Sequence, residues 1–118
     1  KVEGDSLLVI FRDVDEAIAC AIAMQQCARQ YNRKRPKAEE VLLCIGLGYG
    51  NVLRIGDSDV FGAEVNAASK LGEDHARPYE IMVTGAVKQA AQGGKGIKFN
   101  RIKAVPPGAE AAYKLKYE

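Results

Sequence analysis

Apolar positions in this chain fall into short continuous runs that suit strands and three-and-four spacings that suit helices. Leu7 to Phe11 is an unbroken apolar run of strand length, fit for a strand covered on at least one face. Asp13-Val-Asp-Glu16 follows as a capping-box signature, with Asp13 as N-cap and Glu16 three residues on. The helix it opens is expected to run to about Arg33, with Val14, Ile18, Ala21, Ile22 and Ala28 on one stripe and Pro36 barring continuation. Val41 to Gly48 reads as a strand, Gly48-Tyr-Gly-Asn51 as a turn, and Val52 to Ile55 as the returning arm of a hairpin. Residues 62 to 72 predict a second helix with Val65, Ala68 and Leu71 as its apolar stripe and Gly72 as its C-cap. Glu80 to Val83 predicts a short strand, and Gly85 to Gln92 a short helix stopped by Gly93-Gly94. Ile97 to Lys103 and Ala111 to Tyr117 should pair as a final hairpin across Pro106-Pro107-Gly108. Helices alternating with mostly hairpin-linked strands give an α+β sandwich, with helices on one face of a largely antiparallel sheet.

Within this pattern, the stretch from Asp57 to Leu71 carries the candidate chemistry. Asp59 stands just before Phe61-Gly62, and Asn66 and Lys70 lie four residues apart on the helix that follows. One helix face then carries an amide and an ammonium pointing the same way. An acceptor ahead of the helix and two donors on it suit a nucleotide, with a base at one end and phosphates at the other. Spacing alone also fits a plain surface helix after a glycine turn.

Composition narrows the class without choosing the chemistry. At 118 residues and 47% hydrophobic, the chain is one globular domain with room for one real core. A net charge of +2 does not by itself imply nucleic-acid binding. The basic cluster from Arg29 to Lys37 ends a helix, where cations complement the helix dipole. Cys20, Cys27 and Cys44 lack paired spacing and read as reduced thiols of a cytoplasmic protein. No apolar run approaches the ~20 residues that span a bilayer, and no signal peptide is evident, so no membrane contact is expected. His75 reads as a solvated loop histidine, and nothing has the spacing of a zinc site or a Ser-His-Asp triad.

Lys1-x-x-Gly4-Asp5 ahead of Leu7–Phe11 forms an ordered set with Ile45-Gly-Leu-Gly-Tyr-Gly-Asn-Val52, Asp59-Val-Phe-Gly62, Asn66-x-x-x-Lys70 and Glu80-Ile-Met-Val-Thr84. The set resembles the catalytic domain of class III adenylate and guanylate cyclases, over essentially the whole chain. The resemblance implies a ferredoxin-like core, and residues 1–118 as a single cyclase homology domain. Lys1 to Asp5 reads as the end of one strand and the turn into the next, so a first strand, a metal-binding aspartate and two helices are expected upstream.

The resemblance also implies roles. Asp5 matches a metal-binding aspartate of a two-ion site for Mg2+ or Mn2+; a turn aspartate capping its own backbone is the plain alternative. Lys1 and Asp59 occupy the family's base-reading positions, and a donor-only lysine with an acceptor-only aspartate complements adenine rather than guanine. Asn66 matches an asparagine that orients the ribose. Lys70 stands where the family typically has arginine, keeping the charge but losing the planar fork that grips two phosphate oxygens. Such donors are usually worth ~10² to 10³ in rate, so a slow enzyme is expected. Lys103 resembles a triphosphate-binding lysine. The function implied is conversion of ATP to cyclic AMP and pyrophosphate at the interface of a homodimer. The alternative is a cyclase-like domain of little or no activity that senses nucleotides or dimerises. The expectations to be met are that Lys1 and Asp59 converge, and that Asn66 and Lys70 face outward while Val65, Ala68 and Leu71 pack inward.

Overall fold

A computed structural model of the protein describes residues 2–3, 6–55, 59–91 and 97–117. Two short strands, β1 (Val2–Glu3) and β2 (Ser6–Leu7), pair antiparallel before the long helix α1 (Val14–Asn32). Asp13 caps α1 as expected, its carboxylate accepting from the Asp15 N–H at 3.3 Å. After α1 come β3 (Ile45–Leu47), β4 (Leu53–Ile55), β5 (Asp59–Phe61) and α2 (Ala63–Lys70). A π-helical turn, Leu71–His75, prolongs α2 before β6 (Ile81–Thr84) and α3 (Gly85–Ala90). The hairpin of β7 (Lys98–Arg101) and β8 (Ala112–Lys116) completes the chain.

The main sheet has the order β3-β6-β8-β7. β3 runs parallel to β6, whereas β6–β8 and β8–β7 are antiparallel. Strand alternation sends Ile81 and Val83 of β6 and Leu115 of β8 to one face, where they meet Val14, Ile18 and Ala21 of α1 and Val87 of α3. Met82 and Ala112 point to the other face and pack with Leu71. The architecture is thus α+β with a mostly antiparallel sheet. The expected placement of all helices on one face is corrected: α1 and α3 cover one side, and α2 with its π-helical turn lies against the other.

Two glycines explain how α2 comes so near the sheet. A Cβ on Gly46 would stand 2.2 Å from the Ala68 carbonyl oxygen and 2.6 Å from the Gly72 nitrogen. One on Gly48 would stand 2.4 Å from the Glu64 carbonyl oxygen. In β3, Ile45 and Leu47 therefore face α1 while Gly46 makes a bare seat for α2. The same contacts overturn the expected hairpin across Gly48–Asn51. β3 takes β6 as its partner, and the returning strand β4 pairs with β5 instead. Gly72 is not a C-cap; it lies inside the π-helical turn, and a Cβ there would crowd the Gly46 nitrogen at 3.3 Å.

Leu7–Phe11 also departs from expectation. Regular pairing stops at Leu7, and Val9, Ile10 and Phe11 are exposed, because among the described residues no strand or helix covers them. Polar clamps fasten α1 to the loops before β3 and β6. Buried Asn32 donates to the Val41 carbonyl and the Tyr79 hydroxyl, and accepts from the Val41 N–H. Gln25 donates to the Leu43 and Glu80 carbonyls. The three cysteines are free thiols. Among the described residues no helix is long and apolar enough to cross a membrane.

Candidate functional site

β5 and α2 form one continuous device. β5 is held by β4 in the register Leu53↔Phe61, Arg54↔Val60 and Ile55↔Asp59, which places Asp59 at the first position of the strand. Gly62 ends the strand and caps α2 through its backbone, accepting from the Asn66 N–H at 3.1 Å. The helix then presents Asn66 and Lys70 to solvent, one turn apart. Behind them Ala67 and Leu71 are fully buried, while Val65 and Ala68 are half-buried. The outward placement of the amide and the ammonium agrees with the sequence pattern. The inward stripe is shifted, because Ala67, which the spacing had not singled out, is fully buried, whereas Val65 and Ala68 are only half-buried.

Lys70 has a partner on its own element. The π-helical turn brings Asp74 under it, and the ammonium lies 3.5 Å from the carboxylate with both side chains about half exposed (54% and 53%). His75, expected in a solvated loop, is the half-buried last residue of that turn. Lys103 is exposed on the connection between β7 and β8. That connection reaches α2 further along, at Gly108, whose φ is 94° and where a Cβ would stand 2.6 Å from the Ala63 carbonyl oxygen. Lys1 and Asp5, the expected base-reading and metal-binding residues, lie outside the described residues, so their convergence with Asp59 does too.

Sequence reasoning missed Glu64. Its Oε1 accepts from the Thr84 hydroxyl at 2.6 Å and from the Tyr49 N–H at 2.9 Å. This half-buried carboxylate thereby ties the first turn of α2 to the end of β6 and to the loop after β3. The available signal was a charged residue two positions before Asn66, on the opposite side of a helix otherwise lined by small residues.

Among the described residues, Glu80 and Cys44, which immediately precede β6 and β3, have displaced pKa values. For Glu80, burial alone would raise it, but the salt bridge to Lys114 and the Arg77 N–H outweigh that and hold the carboxyl below its ordinary range. Cys44 is pushed up by burial and by the neighbouring Glu80 charge. Two shallow apolar grooves, of about 510 and 480 Å³, flank α1 and share no lining residue with Asn66, Lys70 or Lys103.

Cyclase catalytic domains generally use Mg2+ or Mn2+. Among the described residues no three His, Cys, Asp or Glu side chains gather closely enough to hold a metal ion, so these residues do not by themselves fit a two-ion site.

The sequence profile of the adenylate and guanylate cyclase catalytic domain matches residues 2–113. A curated relative, "Putative adenylate cyclase 3" of Rhizobium meliloti (strain 1021), is 32% identical over 99 residues. That match covers 84% of this chain and 16% of the relative. Among solved structures, an adenylate/guanylate cyclase/hydrolase from Silicibacter pomeroyi superposes with a TM-score of 0.72 at 26% identity. The superposition covers 90% of this chain and 64% of that one. The chain therefore spans about a sixth of the curated relative and somewhat under two thirds of the structural one.

Proposed function

We propose that this chain, which belongs to the adenylate and guanylate cyclase catalytic domain family, is the catalytic part of an adenylate cyclase. The reaction is attack of the ribose 3′-oxygen of ATP on the α-phosphorus. The bond from that phosphorus to the bridging oxygen breaks, pyrophosphate leaves, the hydroxyl proton is lost, and cyclic AMP remains.

The observation that carries the reading is the exposed pair on α2. Asn66 and Lys70 stand one turn apart on the open side of a helix whose other side is seated on the bare backbone of Gly46 and Gly48. An amide there can hold a ribose oxygen while an ammonium one turn away meets charge building on the phosphate. Asp59, at the head of the strand that feeds the helix, is the proposed acceptor for the adenine amino group, with Lys1 as the donor to a ring nitrogen. Lys103 is the proposed contact to the triphosphate. Asp5 is the proposed ligand for a divalent cation.

A homodimer follows from the same division of labour. In the reading we favour, one protomer supplies Asp5 and the other supplies Lys1, Asp59, Asn66 and Lys70, and two-fold symmetry makes two equivalent sites. Mixing tests this in the full-length protein. Asp5→Ala and Asn66→Ala chains should each be inactive alone, yet recover activity when mixed, through one intact site per heterodimer. A mixture that stays inactive while the chains demonstrably exchange refutes the shared site.

One observation favours a second reading, a cyclase-like domain of little turnover. Lysine replaces the family's arginine at position 70, and Asp74 already engages its charge. Full-length protein that binds ATP without converting it would support that alternative.

A further inference from the structure

The Asn66–Lys70 face is useful only if α2 is held at one angle of rotation about its own axis. Apolar packing does little to hold its first turns there. Glu64 and Ala68 lie against the backbone of Gly46 and Gly48, Ala67 is buried beside them, and the large Leu71 side chain packs on Met82 and Ala112 only in the turn beyond the helix. Alanine side chains in those turns are too short to interlock as Leu71 does.

Glu64 is the exception. From the first turn of α2 its carboxylate takes the Thr84 hydroxyl and the Tyr49 N–H. Thr84 is fully buried and itself accepts from the Val87 N–H at the start of α3, so its hydroxyl is fixed at both ends. Helical residues are ~100° apart, so Asn66 points ~200° away from Glu64, to the opposite side. A side-chain tip lies ~5 Å from the helix axis, and a rotation of ~20° would carry the Asn66 amide by ~2 Å. Misplacement of ~1 Å can cost a reaction ~10²-fold.

We propose that Glu64 is a positioning residue: its hydrogen bonds to Thr84 and Tyr49 set the rotation of α2 and thereby aim Asn66 and Lys70. This rests on the cyclase reading for the chemistry being aimed. Both donors converge on a single carboxylate oxygen, so the device needs an acceptor in that place and not a negative charge. A glutamine can supply one, whereas alanine cannot.

The test uses the full-length protein and the variants Glu64→Ala, Glu64→Gln, Thr84→Val and the Glu64→Ala/Thr84→Val pair. Cyclic AMP formation should fall about tenfold or more in kcat for Glu64→Ala, with KM changed less than about threefold. Glu64→Gln should stay within about threefold of wild type, as expected for an acceptor role. Thr84→Val should fall in the same direction, and the double variant should be no slower than Glu64→Ala, because both remove the same bond. Hydrogen exchange of the Tyr49 and Asn66 amides, read independently of activity, should accelerate in Glu64→Ala and not in Glu64→Gln. Wild-type kcat in Glu64→Ala overturns the proposal. So does Glu64→Gln as slow as Glu64→Ala, which would make the charge itself a participant, or losses that multiply in the double variant. If wild type converts neither ATP nor GTP, the cyclase reading fails instead. The exchange data then decide alone: unchanged Tyr49 and Asn66 amides in Glu64→Ala overturn the latch.

Discussion

Replacing Gly46 by alanine strikes at the contact on which the site is mounted. The added methyl would stand 2.2 Å from the Ala68 carbonyl oxygen and 2.6 Å from the Gly72 nitrogen. Ordinary contact between such atoms begins more than ~1 Å further out. Both obstacles are backbone, one in α2 and one in the turn that prolongs it, so no rotamer change relieves them. α2 must lift from β3 by about 1 Å, or β3 must give way against β6. Overpacking of this kind typically costs about 1–3 kcal/mol, which in a domain of this size lowers the melting temperature by roughly 4–12 °C. Because Asn66 and Lys70 ride on the displaced helix, turnover should fall further than stability, by up to ~10²-fold. Gly50→Ala is the milder comparison: its methyl would meet the Glu64 side chain, at 3.0 Å to Cγ, and no backbone, so it should cost less stability than Gly46→Ala while still pressing on the Glu64 latch. Thermal unfolding by circular dichroism and initial-rate kinetics on both variants settle the matter. A Gly46→Ala protein that melts and turns over like wild type would refute the packing argument.

Two further outcomes follow from single contacts. Asp74→Asn frees the Lys70 ammonium from an exposed pair worth about 0–1 kcal/mol, so KM for ATP should drop by up to about fivefold with little change in melting temperature; an unchanged KM in steady-state kinetics would show that Asp74 does not compete with phosphate. Glu80 has a depressed folded-state pKa, so its contribution to stability is present above the unfolded carboxyl pKa and is lost as pH falls through the folded value. Glu80→Gln should therefore flatten the acid side of the stability profile measured by urea titration, and a variant with the wild-type acid slope would contradict the pairing with Lys114.

Much of the fold was legible because local pattern decides it. The Asp13 cap and apolar stripe mark α1, Gly62 and the Asn66–Lys70 spacing mark α2, and the two segments on either side of Pro106-Pro107-Gly108 mark the last hairpin. Partner choice was not legible. Gly48-Tyr-Gly-Asn51 has the composition of a tight turn, but glycines at 46 and 48 serve a helix far along the chain, and their strand pairs with β6. The π-helical turn was hidden for the same reason, since Gly72 resembles a helix stop until its approach to Gly46 is seen. Leu7–Phe11 has strand composition, yet composition cannot supply the neighbour that a strand needs. Within the site, four-residue spacing put Asn66 and Lys70 on one face, whereas the bonds of Glu64 join positions 15 and 20 residues away. No periodicity announces those.

Whether α2 serves an adenylate cyclase is decided by supplying the full-length protein with ATP or GTP, each with Mg2+ and with Mn2+, and measuring the cyclic nucleotides formed. Cyclic AMP should form from ATP, with much less cyclic GMP from GTP, and cyclic AMP formation should be lost in Asn66→Ala at unchanged folding. Preference for GTP would contradict the base reading by Lys1 and Asp59, and cyclic AMP formation undiminished in Asn66→Ala would remove α2 from the chemistry altogether.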